Sequence, residues 1–300
     1  MSAIGQLLDR RYRITQILAA GGFGQTFLAE DTRRPGSPLC VVKQLRLSNN
    51  QKAFQIARRL FDKEAEILEK LGQHDQIPRL LAHFEETQEF FLVEEYIPGH
   101  PLIQELVPGK CKSEAEVVDL LRQILEILAF VHSNNVIHRD IKPANLIRRQ
   151  PDNKIVLIDF GAVKELTTQI TNPFTPTVAI GTRPYMPIEQ FEGQPQYNSD
   201  IYALGVIGVQ ALTGLSVDEL SRPHILSKPP ANNNTTKNGW RNHTQVSSGL
   251  ANLIDKMLHF DFRQRYQSVR EVLADLSKIK SSSIASSKSL LPLARTSIKQ

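Results

Sequence analysis

The sequence predicts an α+β fold in which a small sheet carrying one helix precedes a larger helical region. Residues 12–18 alternate apolar and polar side chains with the two-residue period of a strand. Further strand-like segments follow at residues 26–30, 39–43 and 89–97. Residues 54–71 lie among them and carry apolar side chains at helical spacing. Residues 200–209 are apolar nearly all round, so this helix must be buried in a large helical domain.

The composition is that of a globular protein with one large or two modest domains. The chain has 300 residues, 41% of them hydrophobic, and a net charge of +5 spread along its length, which gives no support to nucleic-acid binding. Cys40 and Cys111 cannot build a disulfide framework, which favours a reducing compartment. Residues 1–11 contain no apolar run long enough for a signal peptide, and no apolar run in the sequence approaches the ~18 residues of a membrane span. We therefore expect a cytoplasmic protein without a membrane span.

The helical region is delimited by local signals. Ser113 and Glu116 form a capping box that begins a helix with an apolar face over residues 117–131, and Ser268 and Glu271 form a second one before the last helix. The other segments are a polar loop at 221–243, a helix at 250–259, and a serine-rich stretch at 281–300 that is predicted not to fold.

One polar loop concentrates the chemistry of the chain. Residues 138–145, His-Arg-Asp-Ile-Lys-Pro-Ala-Asn, lie between two apolar pairs and carry one carboxylate, two cations and one carboxamide. Fourteen residues beyond the loop, Asp159-Phe160-Gly161 follows the apolar strand 155–158. Such a loop can accept a proton, neutralise a phosphate and hold a metal.

Together these two segments resemble the catalytic loop and the metal-binding loop of the bacterial eukaryotic-type (Hanks-type) serine/threonine protein kinases. The resemblance covers residues 12–279 and implies a two-lobed protein-kinase fold with ATP between the lobes. It predicts an N-lobe at 12–97 with a small antiparallel sheet and one helix, and a larger helical C-lobe at 98–279. The flanking segments are then an N-terminal extension at 1–11 and a disordered tail at 280–300.

The resemblance also assigns roles in phosphoryl transfer from Mg-ATP. Asp140 is the base that orients and accepts the substrate hydroxyl proton, and Lys142 offsets charge on the transferred phosphate, in a spacing typical of serine/threonine kinases. Asn145 and Asp159 bind Mg²⁺ through oxygen ligands. His138 is expected to pack beneath the loop rather than act as a base.

In the N-lobe the resemblance makes Lys43 the phosphate-binding lysine and Glu64 its partner. Glu66 is the rival for that pairing, but it faces roughly 200° away round the helix. The glycine-rich turn could be a plain hairpin by itself; the resemblance makes it the loop that covers the phosphates, with alanine at the position of the usual first glycine and threonine where valine is usual. The expected ATP-binding residues are Leu18, Ala19, Ala20, Gly21, Gly22, Phe23, Gly24, Gln25, Thr26, Val41, Lys43, Glu94, Glu95, Tyr96, Ile97 and Ile147.

Glu94 departs from the family pattern, because the gatekeeper position at the back of the adenine pocket usually holds an apolar residue or threonine. A buried carboxylate without a partner is costly. Two interpretations remain open: Glu94 accepts a bond from Lys43 and competes with Glu64, or it reaches solvent or a backbone amide and is a tolerated variation.

The activation segment of the family corresponds to residues 159–189. Thr171 and Thr175 are the leading candidates for autophosphorylation, with Arg139 as the receptor of the phosphate. Thr182 is expected to bridge Asp140 and Lys142. Two structural roles complete the assignment: Asp200 caps backbone amides of the catalytic loop, and Glu189 pairs with Arg265.

The predicted activity is transfer of the γ-phosphoryl group of ATP to serine or threonine hydroxyls of proteins. A pseudokinase, which would bind nucleotide and regulate a partner, is the alternative; a small-molecule kinase is disfavoured by the intact segment from Gly181 to Glu189. The expected partners are protein substrates and another copy of the chain for trans-autophosphorylation. With no sensor domain in the sequence, the activating input is expected from a partner or from that second copy.

Overall fold

The computed structural model describes residues 4–21, 24–45, 51–150, 152–160, 183–226 and 239–279. Several predicted features therefore lie outside the described residues: Gly22, Phe23, Gly161, Thr171, Thr175, Thr182 and the tail at 280–300. Among the described residues, no helix is long and apolar enough to cross a bilayer.

The N-lobe is built on a six-stranded antiparallel sheet with strand order β1-β2-β3-β4-β6-β5. Its elements are β1 (Leu7–Leu8), β2 (Tyr12–Gly21), β3 (Gly24–Asp31), β4 (Leu39–Leu45), α1 (Gln51–Leu71), β5 (Leu80–Glu86) and β6 (Glu89–Glu95). The antiparallel N-lobe sheet with one helix is thus confirmed. Part of the expected N-terminal extension joins the sheet, because Leu7 and Leu8 pair with β2.

The two faces of the sheet bury different residues of the same strand. Phe90 and Leu92 of β6 belong to the core that includes Phe61 and Leu68 of α1. Phe91, between them, lies in a separate core on the opposite face. This alternation follows from the two-residue period of a strand. As a result, the even-numbered residues of β6 face α1.

A second, three-stranded sheet and the helices form the C-lobe. The sheet order is β7-β8-β9, all antiparallel. Its elements are β7 (Gly99–Pro101), α2 (Glu114–Ser133), β8 (Leu146–Arg149), β9 (Ile155–Leu157), α3 (Ile188–Phe191), α4 (Tyr197–Thr213), α5 (Val217–Leu220), α6 (Ser248–Met257) and α7 (Val269–Leu276). As predicted, α4 is buried nearly all round, and it begins three residues before Asp200 because Gln196 and Ser199 form a reciprocal cap.

The connection after α1 is tied to the strand that leads to Asp159. Gln76 accepts a backbone hydrogen bond from Leu157 at 3.0 Å and donates its side-chain amide to the Ile155 carbonyl at 2.7 Å. Arg149 binds the carboxylate of Asp75 at 2.9 Å. These contacts fix the base of the N-lobe helix against the edge of the catalytic region.

Candidate active site

The catalytic loop is closed by its own side chains around Asp140, which is only 7% exposed. Asn145 Nδ2 donates to Asp140 Oδ2 at 2.5 Å and to the Asp140 carbonyl oxygen at 2.9 Å. Lys142 Nζ lies 3.0 Å from the same carboxylate oxygen. The structure thus brings together the predicted base, the phosphate-neutralising lysine and one predicted metal ligand. Both contacts with Asp140 involve its carboxylate charge and come from residues of the same loop.

Asp200 of α4 anchors this loop from below. Its carboxylate accepts hydrogen bonds from the backbone N–H groups of His138 and Arg139, each at 2.9 Å, and lies 2.9 Å from His132 Nε2. Burial alone would raise the pKa of Asp200, but the hydrogen bond and charge of His132 outweigh it and the pKa lies below its ordinary value. Asp200 is therefore an ionised buried cap, which is the geometry expected from the sequence.

Arg139 needs that anchoring because its backbone has φ +67°, a strained conformation for a residue with a side chain. Its N–H is held by Asp200, and its carbonyl oxygen accepts a bond from Gln190 Nε2 at 2.6 Å. The sequence analysis missed Gln190. It lies 51 residues away on the short helix α3, and no local pattern signals a contact at that separation.

His138 is a structural residue of the loop. It is fully buried, its Nδ1 accepts the Asp140 N–H, and its Nε2 lies 3.2 Å from the Ile158 carbonyl oxygen. Its ring packs on Phe160 with centroids 4.9 Å apart. Burial lowers the pKa of His138 below its ordinary value, despite nearby carboxylates. A neutral ring with its proton on Nε2 satisfies both bonds.

Lys43 forms its short ion pair with Glu94. Lys43 Nζ lies 2.7 Å from Glu94 Oε1 and 3.8 Å from Asp159 Oδ1. Glu64, the partner expected from the family resemblance, is buried on α1, and its charge also acts on Lys43. Burial would lower the pKa of Lys43, but Glu94, Asp159 and Glu64 together raise it above its ordinary value.

The oxygen ligands expected for a metal fit the chemistry of Mg²⁺. Because Asn145 uses Nδ2 for Asp140, Oδ1 is the atom of this carboxamide that a cation could bind. The Asp159 carboxylate is 36% exposed and carries a strained φ of +67°. No group of three or more His, Cys, Asp or Glu side chains suited to a metal occurs in the described part of the chain. Mg²⁺ is commonly held by one or two protein oxygens together with substrate phosphates, so this donor set suits it.

The β2–β3 hairpin carries the glycine-rich turn that the family resemblance assigns to ATP binding. Gly21 pairs with Gly24 across its open end, and Leu18 is 44% exposed. A Cβ at Gly24 would lie 1.9 Å from the carbonyl oxygen of Gln44, so no other residue fits there. Of the other expected ATP-binding residues, Ala19 and Ala20 are exposed, whereas Gln25, Thr26, Val41, Tyr96, Ile97 and Ile147 are half-buried.

Strand β6 ends at Glu95, two residues earlier than the strand predicted at 89–97. Its carboxylate binds Arg79 at 2.9 Å near the surface, and its backbone N–H donates to the Arg79 carbonyl. Any contact of Glu95 with adenine is therefore expected from the backbone.

A buried ion pair stabilises the platform beyond the activation segment. Arg265 Nη1 donates to Glu189 Oε1 at 2.5 Å, and Nη2 donates to Oε2 at 3.2 Å. Ser199 Oγ donates to Glu189 Oε1 at 2.7 Å. The predicted pairing of these two residues agrees with this geometry, whereas Ser199 was not singled out from the sequence.

Comparison with known proteins decides the family. The model of the protein kinase domain matches residues 12–276. The chain belongs to the protein kinase family. Serine/threonine-protein kinase B of Synechocystis is 44% identical over 273 residues, covering 89% of this chain and 46% of that protein. PknA, a serine/threonine-protein kinase of Nostoc, is 43% identical over 278 residues, covering 90% and 48%.

Solved structures confirm the kinase fold. The PpkA-294 apo form matches with a TM-score of 0.70 at 21% identity, covering 92% of this chain and 99% of that one. The PknI kinase domain of Mycobacterium tuberculosis matches with a TM-score of 0.67 at 19% identity, covering 92% and 98%. The chain spans about half the length of the curated relatives it matches. Kinases of this family bind ATP and use a divalent metal.

Proposed function

We propose that this protein is a serine/threonine protein kinase that transfers the γ-phosphoryl group of Mg-ATP to hydroxyl groups of proteins. The observation that carries the proposal is the joint contact of Lys142 and Asn145 with one oxygen of Asp140, at 3.0 and 2.5 Å. This contact unites a base, a cation and a metal ligand within one loop. The kinases of Synechocystis and Nostoc named above support the choice of serine and threonine.

Each side chain has a defined task in this reaction. Asp140 accepts a hydrogen bond from the incoming hydroxyl and takes its proton late, because little bonding to the nucleophile is needed in a loose transition state. Lys142 offsets negative charge on the phosphoryl group during transfer. Lys43 binds the phosphates of ATP.

Asn145 and Asp159 would hold Mg²⁺ through Oδ1 and the carboxylate, respectively. When bound, the ion neutralises charge on the phosphates. Lys142 Nζ lies 3.0 Å from the Asp140 carboxylate, so one loop supplies both the group that orients the hydroxyl and the cation that offsets charge.

Loss of the Asp140 carboxylate tests the proposal. In Asp140→Ala the rate of phosphorylation of a generic protein substrate should fall by roughly 10²–10⁴, while ATP binding stays nearly intact, because Asp140 contacts the hydroxyl and not the nucleotide. Asp119→Ala, which removes an exposed carboxylate of α2, is the matched control. Turnover of labelled ATP by Asp140→Ala within threefold of the wild type would contradict the assignment.

The pseudokinase alternative makes the opposite prediction for the wild-type chain. It predicts nucleotide binding with no transfer of label to any protein, including the chain itself. Lys43, Glu64, Asp140, Asn145 and Asp159 are all present, and each of them is at least partly buried. A catalytically silent scaffold has no need of this full set, so we favour the active kinase.

We also propose that a second copy of the chain is a substrate, through trans-autophosphorylation of the activation segment, and that the protein works in the cytoplasm. Free thiols at Cys40 and Cys111 suit a reducing compartment. Fractionation of cells followed by detection of the chain would test the location.

A further inference from the structure

The carboxylate of Glu94 lies directly against Lys43, at the position that the family resemblance assigns to the back of the nucleotide pocket. In the sheet, Lys43 lies opposite Leu92 and Val41 lies opposite Glu94. Lys43 and Glu94 are therefore diagonal neighbours on the face that packs against α1, a separation that two long side chains can span. The strand register thus allows the 2.7 Å contact between Nζ and Oε1.

This ion pair is largely shielded from water on the glutamate side. The Glu94 side chain is 3% exposed and that of Lys43 21%. Glu94 Oε1 is buried, and the Lys43 ammonium is the cation that compensates it in the described part of the molecule. Removing that cation would leave an uncompensated buried charge, which is strongly unfavourable. Glu94 therefore opposes any displacement of Lys43 toward the cleft.

A second carboxylate, that of Asp159, lies near the Lys43 ammonium on its more exposed side. Asp159 Oδ1 lies 3.8 Å from Nζ, and the Asp159 side chain is 36% exposed, on the open side of the site. The ammonium thus lies between a deep carboxylate at 2.7 Å and an accessible one at 3.8 Å. Its position in this structure is biased to the deep side.

We propose that Glu94 is a positioning residue that holds Lys43 at the back of the pocket, so that ATP must draw Lys43 away from Glu94 to obtain its phosphate contact. The inference deepens the proposed function, since it assumes that Lys43 serves the phosphates of ATP. Glu94 then lowers the fraction of molecules in which Lys43 is ready to bind phosphate. The apparent affinity for ATP falls in proportion to that fraction.

Adenosine separates this effect from a general change in the pocket. It fills the adenine and ribose sites but has no phosphate for Lys43 to contact. Removal of the Glu94 charge should therefore strengthen binding of ATP and leave binding of adenosine unchanged. A purely structural role of Glu94 would alter both ligands alike.

The experiment compares the dissociation constants of Mg-ATP and adenosine by titration calorimetry. All proteins carry Asp140→Asn, so that autophosphorylation cannot change their state and no turnover is required. In Glu94→Gln, which keeps the shape of the side chain, and in Glu94→Met, we expect the ratio of ATP to adenosine affinity to rise about tenfold, corresponding to one ready molecule in ten before substitution. Glu85→Gln, which removes a carboxylate from neighbouring β5, is the control and should leave the ratio unchanged.

The same Glu94→Gln substitution is then made in a Lys43→Met protein, which completes a double-mutant cycle. Because the proposed effect acts through Lys43, Glu94→Gln should no longer change the affinity ratio when Lys43 is absent. An effect that persists in Lys43→Met would mean that Glu94 repels the phosphates directly, and would overturn the proposal. So would unchanged or weaker ATP binding in both Glu94 variants, or an equal change for ATP and adenosine. Absence of phosphotransfer by the wild-type chain, which retains Asp140, would instead count against the proposed function alone.

Discussion

The guanidinium of Arg265 and the carboxylate of Glu189 form a two-point ion pair with both side chains no more than 5% exposed. The pair connects α3, at the end of the activation segment, to the loop that follows α6. Arg265 also donates to the carbonyl oxygens of His259 and Phe260, at 2.6 and 3.2 Å. The segment that ends the active-site region is therefore fixed to the C-lobe core by one buried side chain.

Arg265→Met should destabilise the protein more than any surface substitution. It leaves Glu189 as an uncompensated buried charge, which typically costs about 3–5 kcal/mol. The free energy of unfolding in urea measures the effect. Arg263→Met, which removes an exposed arginine two residues away, is the control and should change it by less than about 0.5 kcal/mol. An equal loss of unfolding free energy in the two variants would show that the buried ion pair does not contribute more to stability than a surface residue.

Asp200→Asn should disrupt the catalytic loop while leaving the N-lobe intact. An amide offers a single acceptor oxygen, so at least one of the N–H groups of His138 and Arg139 loses its partner, at a cost of roughly 1.5–3 kcal/mol for a charge-assisted bond. We expect a lower free energy of unfolding and a lower turnover rate with unchanged affinity for adenosine. The exposed carboxylate of Asp218 gives the control substitution Asp218→Asn. Full activity in Asp200→Asn would contradict the anchoring role.

Because His138 is buried, we expect the free energy of unfolding of the protein to fall in mild acid. Burial lowers its folded-state pKa, so below the unfolded-state pKa of about 6.5 the unfolded chain binds the proton more readily than the folded one. Its contribution is fully present above that pH and is lost as the pH falls toward the lowered folded-state pKa. Free energies of unfolding between pH 8 and 5 should show this slope, and His138→Gln should reduce it. His243→Gln, at an exposed histidine, should not; identical slopes in all three proteins would refute the prediction.

Phosphorylation of the activation segment is predicted at Thr171 or Thr175. The phosphate would pair with Arg139, which lies next to the base and is partly buried. Mass spectrometry of purified active protein should detect phosphate within residues 167–177. The Asp140→Asn protein prepared in the same way should lack it, because the modification is self-catalysed. An unmodified segment in fully active enzyme would exclude this mode of activation.

Local patterns in the sequence were sufficient to predict the helices and strands. They were also sufficient to predict those contacts of the site that join residues close together in the chain. The capping box at Ser113 and Glu116 forms as expected, because its bonds join residues three apart. Asp140, Lys142 and Asn145 come together within one loop because the chain itself holds them within five residues. Family resemblance extended this to the long-range pairs of Asp200 with the loop and of Glu189 with Arg265.

Contacts between distant segments were decided by the tertiary structure. Gln190 reaches the Arg139 carbonyl from 51 residues away, and nothing in the sequence marks that pair. The contact of Lys43 with Glu94 depends on how β4 and β6 align, because their register places Glu94 diagonally across from Lys43. The amino-acid sequence predicts which charged groups enter the site, because residue types and their local spacing can be read directly from it. The short contact of Lys43 with Glu94 depends on strand register, which is established only when the strands of the N-lobe assemble.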